Sequence, residues 1–368
     1  MDRRRFAQLS AFALASTQVR VSAQSNSNNS ASGTRRVGIA AVGLGSIAEV
    51  FMRAVTATPN ARITGLVTGH PAEKGVKFGA LYNVPGNSIY TYETFDRLRD
   101  NPAIDAVYIA LPNSMHCEYT IRAAEAGKHV FCEKPMGISS AECRRMIEAC
   151  RRANVKLMIG YRIHYDATFR KLRELVRSGA LGEIQSYQGG FYGMRNKQQW
   201  RLDRSLAGGG SLLDLGIYPL NAVRWFTGEE PEICRGLVAT RDKGQAFATV
   251  EQSINWMVKF PSGILASGGS SYEQSGTNFF AINGTTGHLR LEPAFVYGDA
   301  ILKYTGTAGD TELSGGGPVY DPDQFVLEAT HFADCVLHNS QPATPGEEGL
   351  ADLLAIEAIY ASAGTPIA

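Results

Sequence analysis

The turn between an apolar strand and a helix near the start of the chain constrains the fold most. Val37–Val42 is a continuous apolar run, as a buried parallel strand requires. Gly43, Gly45 and Ala48 follow at GxGxxA spacing and open a helical pattern. Gly43 allows a tight turn, Gly45 lets the backbone approach a pyrophosphate, and Ala48 lets the helix pack closely on the strand. We predict a dinucleotide-binding unit here; the alternative is a purely structural glycine turn.

The start of this helix is predicted to hold the phosphates of the cofactor. Free N–H groups and the partial positive charge of a helix N-terminus attract anions. The residues expected to bind are those of the turn itself: Gly43, Leu44, Gly45, Ser46 and Ile47.

The end of the second strand, Ala61–Val67, indicates which dinucleotide is bound. An NAD-binding protein usually has Asp or Glu there, which accepts from the ribose hydroxyls. This chain has Thr68 and Gly69, and Lys74 follows. A hydroxyl, open N–H groups and an ammonium would attract a 2′-phosphate that a carboxylate repels. We predict NADP; the alternative is that Lys74 is an ordinary solvated helix residue.

Two later strands end in residues that would lie over the cofactor. The segment Cys132-Glu133-Lys134-Pro135 closes one of them, and Pro135 biases Lys134 towards an extended conformation. That places Glu133 and Lys134 at the carboxyl edge of a parallel sheet, where ligands bind. The preceding strand ends in a second predicted set of cofactor contacts: Leu111, Pro112, Asn113 and His116. His116 fits equally well as a hydrogen-bonded histidine in the first turn of a helix.

The alternation of short apolar strands and amphipathic helices predicts an α/β protein with two domains. Residues 35–160 form a doubly wound Rossmann domain. Residues 161–368 show repeated strand patterns separated by turns, which predicts an α+β domain with an open, largely antiparallel sheet. Two late helices, near 323–338 and 347–362, are expected to pack at the domain junction.

An acid and a phenol follow a run of three glycines in the second half. Asp214 and Tyr218 are four residues apart, so on a helix they share one face. Ser211 is predicted to be the N-cap of that helix. The functional interpretation is that Tyr218 and Lys134 act together; the alternative is that Asp214 and Tyr218 form hydrogen bonds across a domain interface.

This set of side chains suits a hydride transfer without a metal. The reference pKa of a phenol is about 10, but a nearby ammonium and a cationic nicotinamide would lower it. Tyr218 would then take the proton of a sugar hydroxyl, with Lys134 beside it. Asp214 would hold a substrate hydroxyl and orient Tyr218. The sequence offers no cluster with metal-ligand spacing.

The first 34 residues indicate that the protein is exported, and we do not expect them to be part of the folded domains. Arg3, Arg4 and Arg5 precede a modest apolar stretch, and small residues end at Ala23, which is typical of a twin-arginine signal over 1–23. A Ser/Asn-rich linker fills 24–34. We therefore expect a periplasmic protein that folds around its cofactor before export; the alternative is a basic tail.

Charge and cysteine content exclude several classes. Lys and Arg total 36 against 35 Asp and Glu, so nucleic-acid binding has no electrostatic basis. No apolar run reaches the roughly 18 residues of a membrane span. Six cysteines without CxxC spacing are expected to be mostly small buried side chains: Cys117, Cys132, Cys143, Cys150, Cys234 and Cys335.

Several motifs in the same order resemble the Gfo/Idh/MocA oxidoreductases, and within that family the glucose–fructose and aldose–aldose oxidoreductases. The stretches that carry the resemblance are 43–48, 111–114, 133–135, 160–162, 198–201, 208–218, 270–272 and 345–349. The resemblance implies a tightly held NADP, oxidation of one sugar at C1 to a lactone, and reduction of a second sugar to an alditol.

The resemblance also implies roles for single residues. Lys134 and Tyr218 would be catalytic and Asp214 would assist. The remaining members would lie near the nicotinamide (Arg162, Trp200, Arg201), the sugar (Lys134, Arg162, Asp214, Tyr218, Tyr272) and the far side of the cofactor (Tyr297). Two departures stand out: Ser46 replaces a lysine in the phosphate turn, and the long proline-rich arm of glucose–fructose oxidoreductases is missing, so we expect a dimer formed by sheet packing rather than the arm-supported tetramer.

Three other functions fit parts of the pattern. An ordinary NADP-dependent aldose 1-dehydrogenase would release its cofactor, and a glycosidase of the same fold would use the dinucleotide transiently. A sensor that binds the dinucleotide without catalysis would not need Lys134, Asp214 and Tyr218 together.

Overall fold

The computed structural model describes residues 35–242, 244–276, 278–298, 300–306, 309–314 and 323–365. The predicted export signal and linker, residues 1–34, lie outside the described residues. The fold is an α/β arrangement of two sheets, as the sequence predicts.

The first sheet has six parallel strands and forms the Rossmann domain. The strands are β1 (Val37–Val42), β2 (Ala61–Val67), β3 (Ile89–Tyr90), β4 (Ala106–Ile109), β5 (His129–Glu133) and β6 (Leu157–Gly160). Their order is β3-β2-β1-β4-β5-β6, which reverses beside β1 and so opens a crevice at the carboxyl ends of β1 and β4. The helices of this domain are α1 (Ser46–Ala57), α2 (Val76–Tyr82), α3 (His116–Glu125) and α4 (Ser140–Ala153).

The second domain is built on a mixed sheet of eight strands. These are β7 (Ile184–Tyr192), β8 (Ile233–Ala239), β9 (Ser253–Lys259), β10 (Leu265–Ser271), β11 (Phe279–Gly284), β12 (Gly287–Glu292), β13 (Ile301–Gly306) and β14 (Thr311–Ser314), in the order β14-β13-β12-β11-β7-β10-β9-β8. β7 and β10 are parallel, and the other neighbours are antiparallel. The helices of this half are α5 (Ala167–Arg177), α6 (Arg204–Ala207), α7 (Ile217–Thr227), α8 (Asp323–His338) and α9 (Gly346–Ser362).

The two late helices return to the first domain. α8 packs against α1 and places Phe332 at 5.2 Å from the ring of Phe131 in β5. Residues just before α9 continue the edge of the first sheet, because the Ile159 N–H donates to the Thr344 carbonyl at 2.8 Å. α9 then packs between α4 and β8. Both helices thus pack against the Rossmann domain, and this packing holds the two domains together.

Where apolar residues form a clear helix or strand pattern in the sequence, the predicted bounds of the element match those in the structure. β1, β2, α4 and α8 have the predicted bounds. The sequence analysis missed β13 and β14, which lie in a glycine-rich region. In the parts of the chain that the structure covers, no helix combines the length and apolarity needed to cross a membrane.

Candidate cofactor and substrate site

The glycine turn after β1 has the shape that a dinucleotide requires. Gly43 has φ +83°, and a Cβ there would lie 2.6 Å from the Ala110 carbonyl oxygen, so no other residue fits without strain. A Cβ on Gly45 would meet no atom within 4 Å. The space above Gly45 is therefore open for a ligand, at the start of α1. The residues fit the pyrophosphate of a dinucleotide, which this turn and the N–H groups of Ser46 and Ile47 would hold.

The end of β2 adds a cation to this turn. The Lys74 Nζ donates to the Leu44 carbonyl at 3.0 Å, which brings the ammonium over the glycine turn. Gly69 is exposed, and the ring of Tyr92, which the sequence analysis did not single out, lies 3.3 Å from where its Cβ would be. The Thr68 hydroxyl accepts from the His70 N–H at 3.1 Å and is buried. Because of that burial, Lys74 and the Gly69 backbone remain the groups open to a phosphate.

His116 and Asn113, which follow β4, hold neighbouring backbone in place and do not line the ligand space. Both ring nitrogens of His116 lie against backbone carbonyls, Nδ1 at 2.9 Å from Pro135 and Nε2 at 3.0 Å from Leu111. The ring is buried, and burial lowers its pKa. The prediction that His116 contacts the cofactor therefore gives way to the alternative: it ties the turn after β4 to the turn after β5. Asn113 is also buried and donates to the Ala207 carbonyl at 2.8 Å, which links the two domains.

Lys134 meets the second domain at Asp214. The ammonium donates to the Asp214 carbonyl at 2.8 Å and lies 3.6 Å from the carboxylate. The side chains are 11% and 13% exposed. Burial lowers the pKa of Lys134, and Asp214 counters that shift. Burial alone would raise the pKa of Asp214, but Lys134, Arg201 and Arg195 together lower it below its usual range. Asp214 is thus a fixed carboxylate beside a fixed ammonium.

Tyr218 lies between two cations. The Lys134 Nζ is 4.6 Å from its ring centroid, and the Arg162 guanidinium is 4.8 Å away on the same ring. The Arg162 Nε donates to the phenol oxygen at 3.2 Å. Burial raises the pKa of Tyr218, and Arg162 opposes that shift. Two expectations therefore need correction: burial outweighs the neighbouring cations and raises the pKa of Tyr218, and Arg162, not Asp214, orients the phenol.

Arg162 is in turn held by three acceptors. Besides the phenol it donates to Gln324 Oε1 at 2.9 Å and to the Phe295 carbonyl. Its guanidinium also stacks on Tyr297, at 4.5 Å from the ring centroid. Arg162 is buried and Tyr297 is partly exposed, so Tyr297 forms the outer wall of this cluster.

The helix that carries Asp214 begins differently from the prediction. Residues Leu212–Gly216 form a wide π-helical turn before α7, so Asp214 and Tyr218 are not aligned on one ideal face. Ser211 occupies the predicted N-cap position, but its side chain forms no capping hydrogen bond; its hydroxyl donates instead to the Ser270 carbonyl at 3.2 Å. The buried Glu251 carboxylate takes over that role, accepting from the N–H groups of Gly210 and Leu212 at 2.9 and 2.8 Å.

Two predicted site residues turn away from the ligand space. The Glu133 carboxylate accepts from the Tyr108 hydroxyl at 2.5 Å, and burial raises its pKa. Tyr272 is fully buried and donates to the Gly210 carbonyl at 3.1 Å. Neither side chain is therefore available to a sugar or a nicotinamide in this arrangement. Both support the backbone that carries Lys134 and Asp214.

The structure adds one residue that the sequence did not indicate. Arg195, on the segment after β7, places Nη2 at 2.9 Å from Asp214 Oδ2. Arg201 places Nε at 3.4 Å from Asp214 Oδ1 and stacks on Trp200 at 4.4 Å. No pattern in the sequence around Arg195 signals this contact, because it depends on how that segment folds back over Asp214. Within the described residues, no group of three or more His, Cys, Asp or Glu side chains could hold a metal ion.

Comparison with known proteins agrees with this architecture. Residues 37–161 match the model of an oxidoreductase family with an NAD-binding Rossmann fold, Gfo/Idh/MocA, and residues 169–290 match a C-terminal domain of the same family. A D-xylose 1-dehydrogenase (NADP(+)) from Haloarcula marismortui is 33% identical over 86% of this chain and 88% of its own length. The chain belongs to the Gfo/Idh/MocA oxidoreductase family.

Solved structures of other proteins superpose over most of the chain. The aldose–aldose oxidoreductase from Caulobacter crescentus, in complex with glycerol, has a TM-score of 0.84 and 40% identity over 90% of this chain and 98% of that one. A 3-ketoreductase from Actinomadura kijaniata, in complex with NADP, has a TM-score of 0.78 at 23% identity over 89% of this chain and 98% of that one, which shows the shared fold. The predicted family, fold class and oxidoreductase activity are confirmed.

Proposed function

We propose that this protein is an NADP-dependent sugar oxidoreductase that keeps its cofactor between turnovers. It oxidises an aldose at C1 to the lactone and then reduces a second sugar to an alditol. The proposal depends on one observation. Across the domain junction, Lys134 contacts both the Asp214 carboxylate and the ring of Tyr218, and the Lys134 and Asp214 side chains are nearly buried. The similarity to an aldose–aldose oxidoreductase and to an NADP-dependent xylose dehydrogenase supports the substrate class.

Each side chain has a distinct task at the sugar. A bound nicotinamide would supply the hydride chemistry of both half-reactions, the oxidation of one sugar carbon and the reduction of another. The Tyr218 phenol exchanges the proton of the reacting hydroxyl, and the Arg162 Nε at 3.2 Å fixes its oxygen. Lys134 stabilises negative charge on the sugar oxygen during the transfer. Asp214, held as a carboxylate, accepts from a neighbouring sugar hydroxyl.

The choice of NADP rests on charge at the end of β2. Lys74 lies over the glycine turn, and no carboxylate occupies position 68 or 69. An ammonium there favours the extra 2′-phosphate of NADP over the bare ribose of NAD.

An absorbance spectrum of the protein as purified tests the proposal. We expect a bound nucleotide without any addition, a reduced-nicotinamide band that grows with an aldose, and bleaching of that band by a second sugar. A protein that purifies without nucleotide and turns over only with added NADP would instead be an exchangeable aldose 1-dehydrogenase. The similarity to a xylose dehydrogenase makes that the second candidate.

We further propose export and self-association, each on its own grounds. The twin-arginine pattern of residues 1–23 supports a periplasmic location, which osmotic-shock fractionation of the native host would test. The outer face of the second sheet supports a dimer. It exposes three apolar side chains on neighbouring strands: Leu237, Met257 and Leu265.

A further inference from the structure

The charges around Asp214 do not balance. Lys134, Arg195 and Arg201 all place a nitrogen within 3.6 Å of this one carboxylate. Among the described residues, every ion pair of these three cations ends on Asp214. One negative charge therefore faces three positive charges at the predicted reacting centre. The nearby acids Glu133 and Glu251 have other partners: Glu133 accepts from the Tyr108 hydroxyl, and Glu251 accepts from the N–H groups of Gly210 and Leu212.

Neither the surrounding segment nor the cofactor supplies the missing charge. Lys197, on the same segment as Arg195, is already neutralised by Asp242 and Glu273, each at 2.7 Å. The phosphates of a dinucleotide belong at the glycine turn, at the other end of the cofactor. The oxidised nicotinamide itself is a cation and would add to the surplus.

The two arginines are built to receive a further anion. Each side chain is 34% exposed, so part of each guanidinium is open to solvent, although Asp214 uses one edge. The Arg195 Nε is buried and has no hydrogen-bond partner within the described part of the chain. A guanidinium presents several donors in one plane and binds carboxylates through two of them. Lys134 and the two arginines all contact the Asp214 carboxylate. A sugar bound at Lys134 would therefore lie close to both guanidiniums.

We propose that Arg195 and Arg201 form a subsite for a carboxylate on the sugar. The preferred substrate is then an aldose that carries an acid group, as in a uronic acid, with C1 at Tyr218 and the carboxylate at the two guanidiniums. This subsite rests on the proposed function, since it names the substrate class for that reaction.

A matched pair of sugars tests the subsite. D-glucose and D-glucuronate differ only at C6, so their kcat/KM values, measured as sugar-dependent nicotinamide reduction, isolate the acid group. We expect the uronate to be favoured at least about tenfold at low salt, and the preference to shrink at high ionic strength because salt screens exposed charges. Equal values, or a preference for glucose, would overturn the subsite; reduction by neither sugar would overturn the proposed function instead.

Variants locate the effect. Arg195→Gln and Arg201→Gln should each lower the uronate preference several-fold, and Arg195→Lys should restore part of it through charge. Lys197→Gln is the control, because it removes a cation that two carboxylates already neutralise. A loss of preference in Lys197→Gln equal to that in Arg195→Gln would mean that the overall charge, not the subsite, selects the sugar.

Binding measured without turnover provides an independent readout. Isothermal titration of the purified protein with methyl β-D-glucuronide and methyl β-D-glucoside, which have no free hydroxyl at C1 to oxidise, should give a lower dissociation constant for the uronide, and Arg195→Gln should remove the difference. Identical constants in the parent protein would show that the arginines serve only to hold Asp214.

Discussion

At the scale of single residues, the site depends on keeping one phenol fixed between two cations. Tyr218 accepts a hydrogen bond from Arg162, and the Lys134 ammonium lies over the face of its ring. Burial raises the pKa of Tyr218 above that of an ordinary phenol, which favours the protonated form. A protonated phenol is ready to donate its proton to a sugar oxygen, whereas its action as a base needs further positive charge beside it.

Tyr218→Phe tests that role. The ring and its packing remain, but the proton carrier is lost, so we expect kcat to fall by about 10²–10⁴-fold. Cofactor content should be unchanged, which the spectrum of the purified variant shows. Tyr297→Phe is the comparison, since Tyr297 stacks on the same Arg162 and should keep turnover within about tenfold. Undiminished turnover in Tyr218→Phe would show that the Tyr218 phenol is not the proton carrier.

At the scale of elements, the turn from β1 to α1 contains two glycines with different roles: one is needed for folding and the other for ligand binding. Gly43 has a left-handed backbone and no room for a side chain, whereas Gly45 has an extended backbone and open space. Gly43 is thus required by the protein itself, and Gly45 by what the protein binds.

The two substitutions should have opposite signatures. Gly43→Ala should lower the free energy of unfolding by about 1–3 kcal/mol through backbone strain. Gly45→Val should leave the melting temperature of the cofactor-free protein nearly unchanged but weaken NADP binding by about 100-fold or more. Differential scanning fluorimetry and NADP titration measure both. A large destabilisation in Gly45→Val would show that this position serves packing.

Another element-scale feature is the half-buried histidine beside α7. His164 stacks on Trp225 at 4.2 Å and forms a hydrogen bond with Asn221 at 2.9 Å. Burial lowers its pKa from 6.5 to about 3. Between these values the unfolded chain binds a proton that the folded protein does not, so the free energy of unfolding falls as the pH drops through this window.

His164→Gln should make that pH dependence shallower. The amide can keep a hydrogen bond but does not titrate, so the slope of unfolding free energy against pH should decrease by up to about 1.4 kcal/mol per unit between pH 6 and 4. Urea titrations at several pH values measure the slope. Parallel curves for the two proteins would contradict the assignment of a neutral His164.

At the scale of the whole molecule, the exposed face of the second sheet is the feature that most invites a partner. Leu237 is 79% exposed and Met257 is 59% exposed, on adjacent strands β8 and β9. Exposed apolar side chains grouped on one sheet face commonly mark an interface.

Charge on this face should therefore prevent the proposed dimer. If the parent protein is dimeric, Leu237→Glu combined with Met257→Glu should give a monomer in size-exclusion chromatography with light scattering. Val76→Glu is the control, because Val76 is equally exposed but lies on α2 of the first domain. A dimer that survives the double substitution, or a parent protein that is already monomeric, would refute this interface.

The whole-molecule fold was largely readable from the sequence, and the fine structure of the site was not. β1 and β2 are continuous apolar runs in parallel pairs, so local composition determines them. β13 alternates exposed Lys303 with buried Leu302 and Tyr304, but the signal is short and glycines follow it. The wide turn before α7 and the Arg195 contact escaped prediction because they depend on Glu251 and on a distant segment folding back, neither of which leaves a local period.

The position of α8 also matters for how the protein is made. This helix covers the side of the first sheet on which Phe131 of β5 packs with Phe51 of α1, and Asn60 donates to its Thr330 carbonyl and Asp334 carboxylate at 3.0 and 2.7 Å. Residues 323–338 leave the ribosome only after the first domain and the strands of the second sheet, so during that interval this aromatic face lacks its cover. Apolar surface that is exposed in this way during folding is prone to aggregate, and it is the kind of surface on which chaperones act.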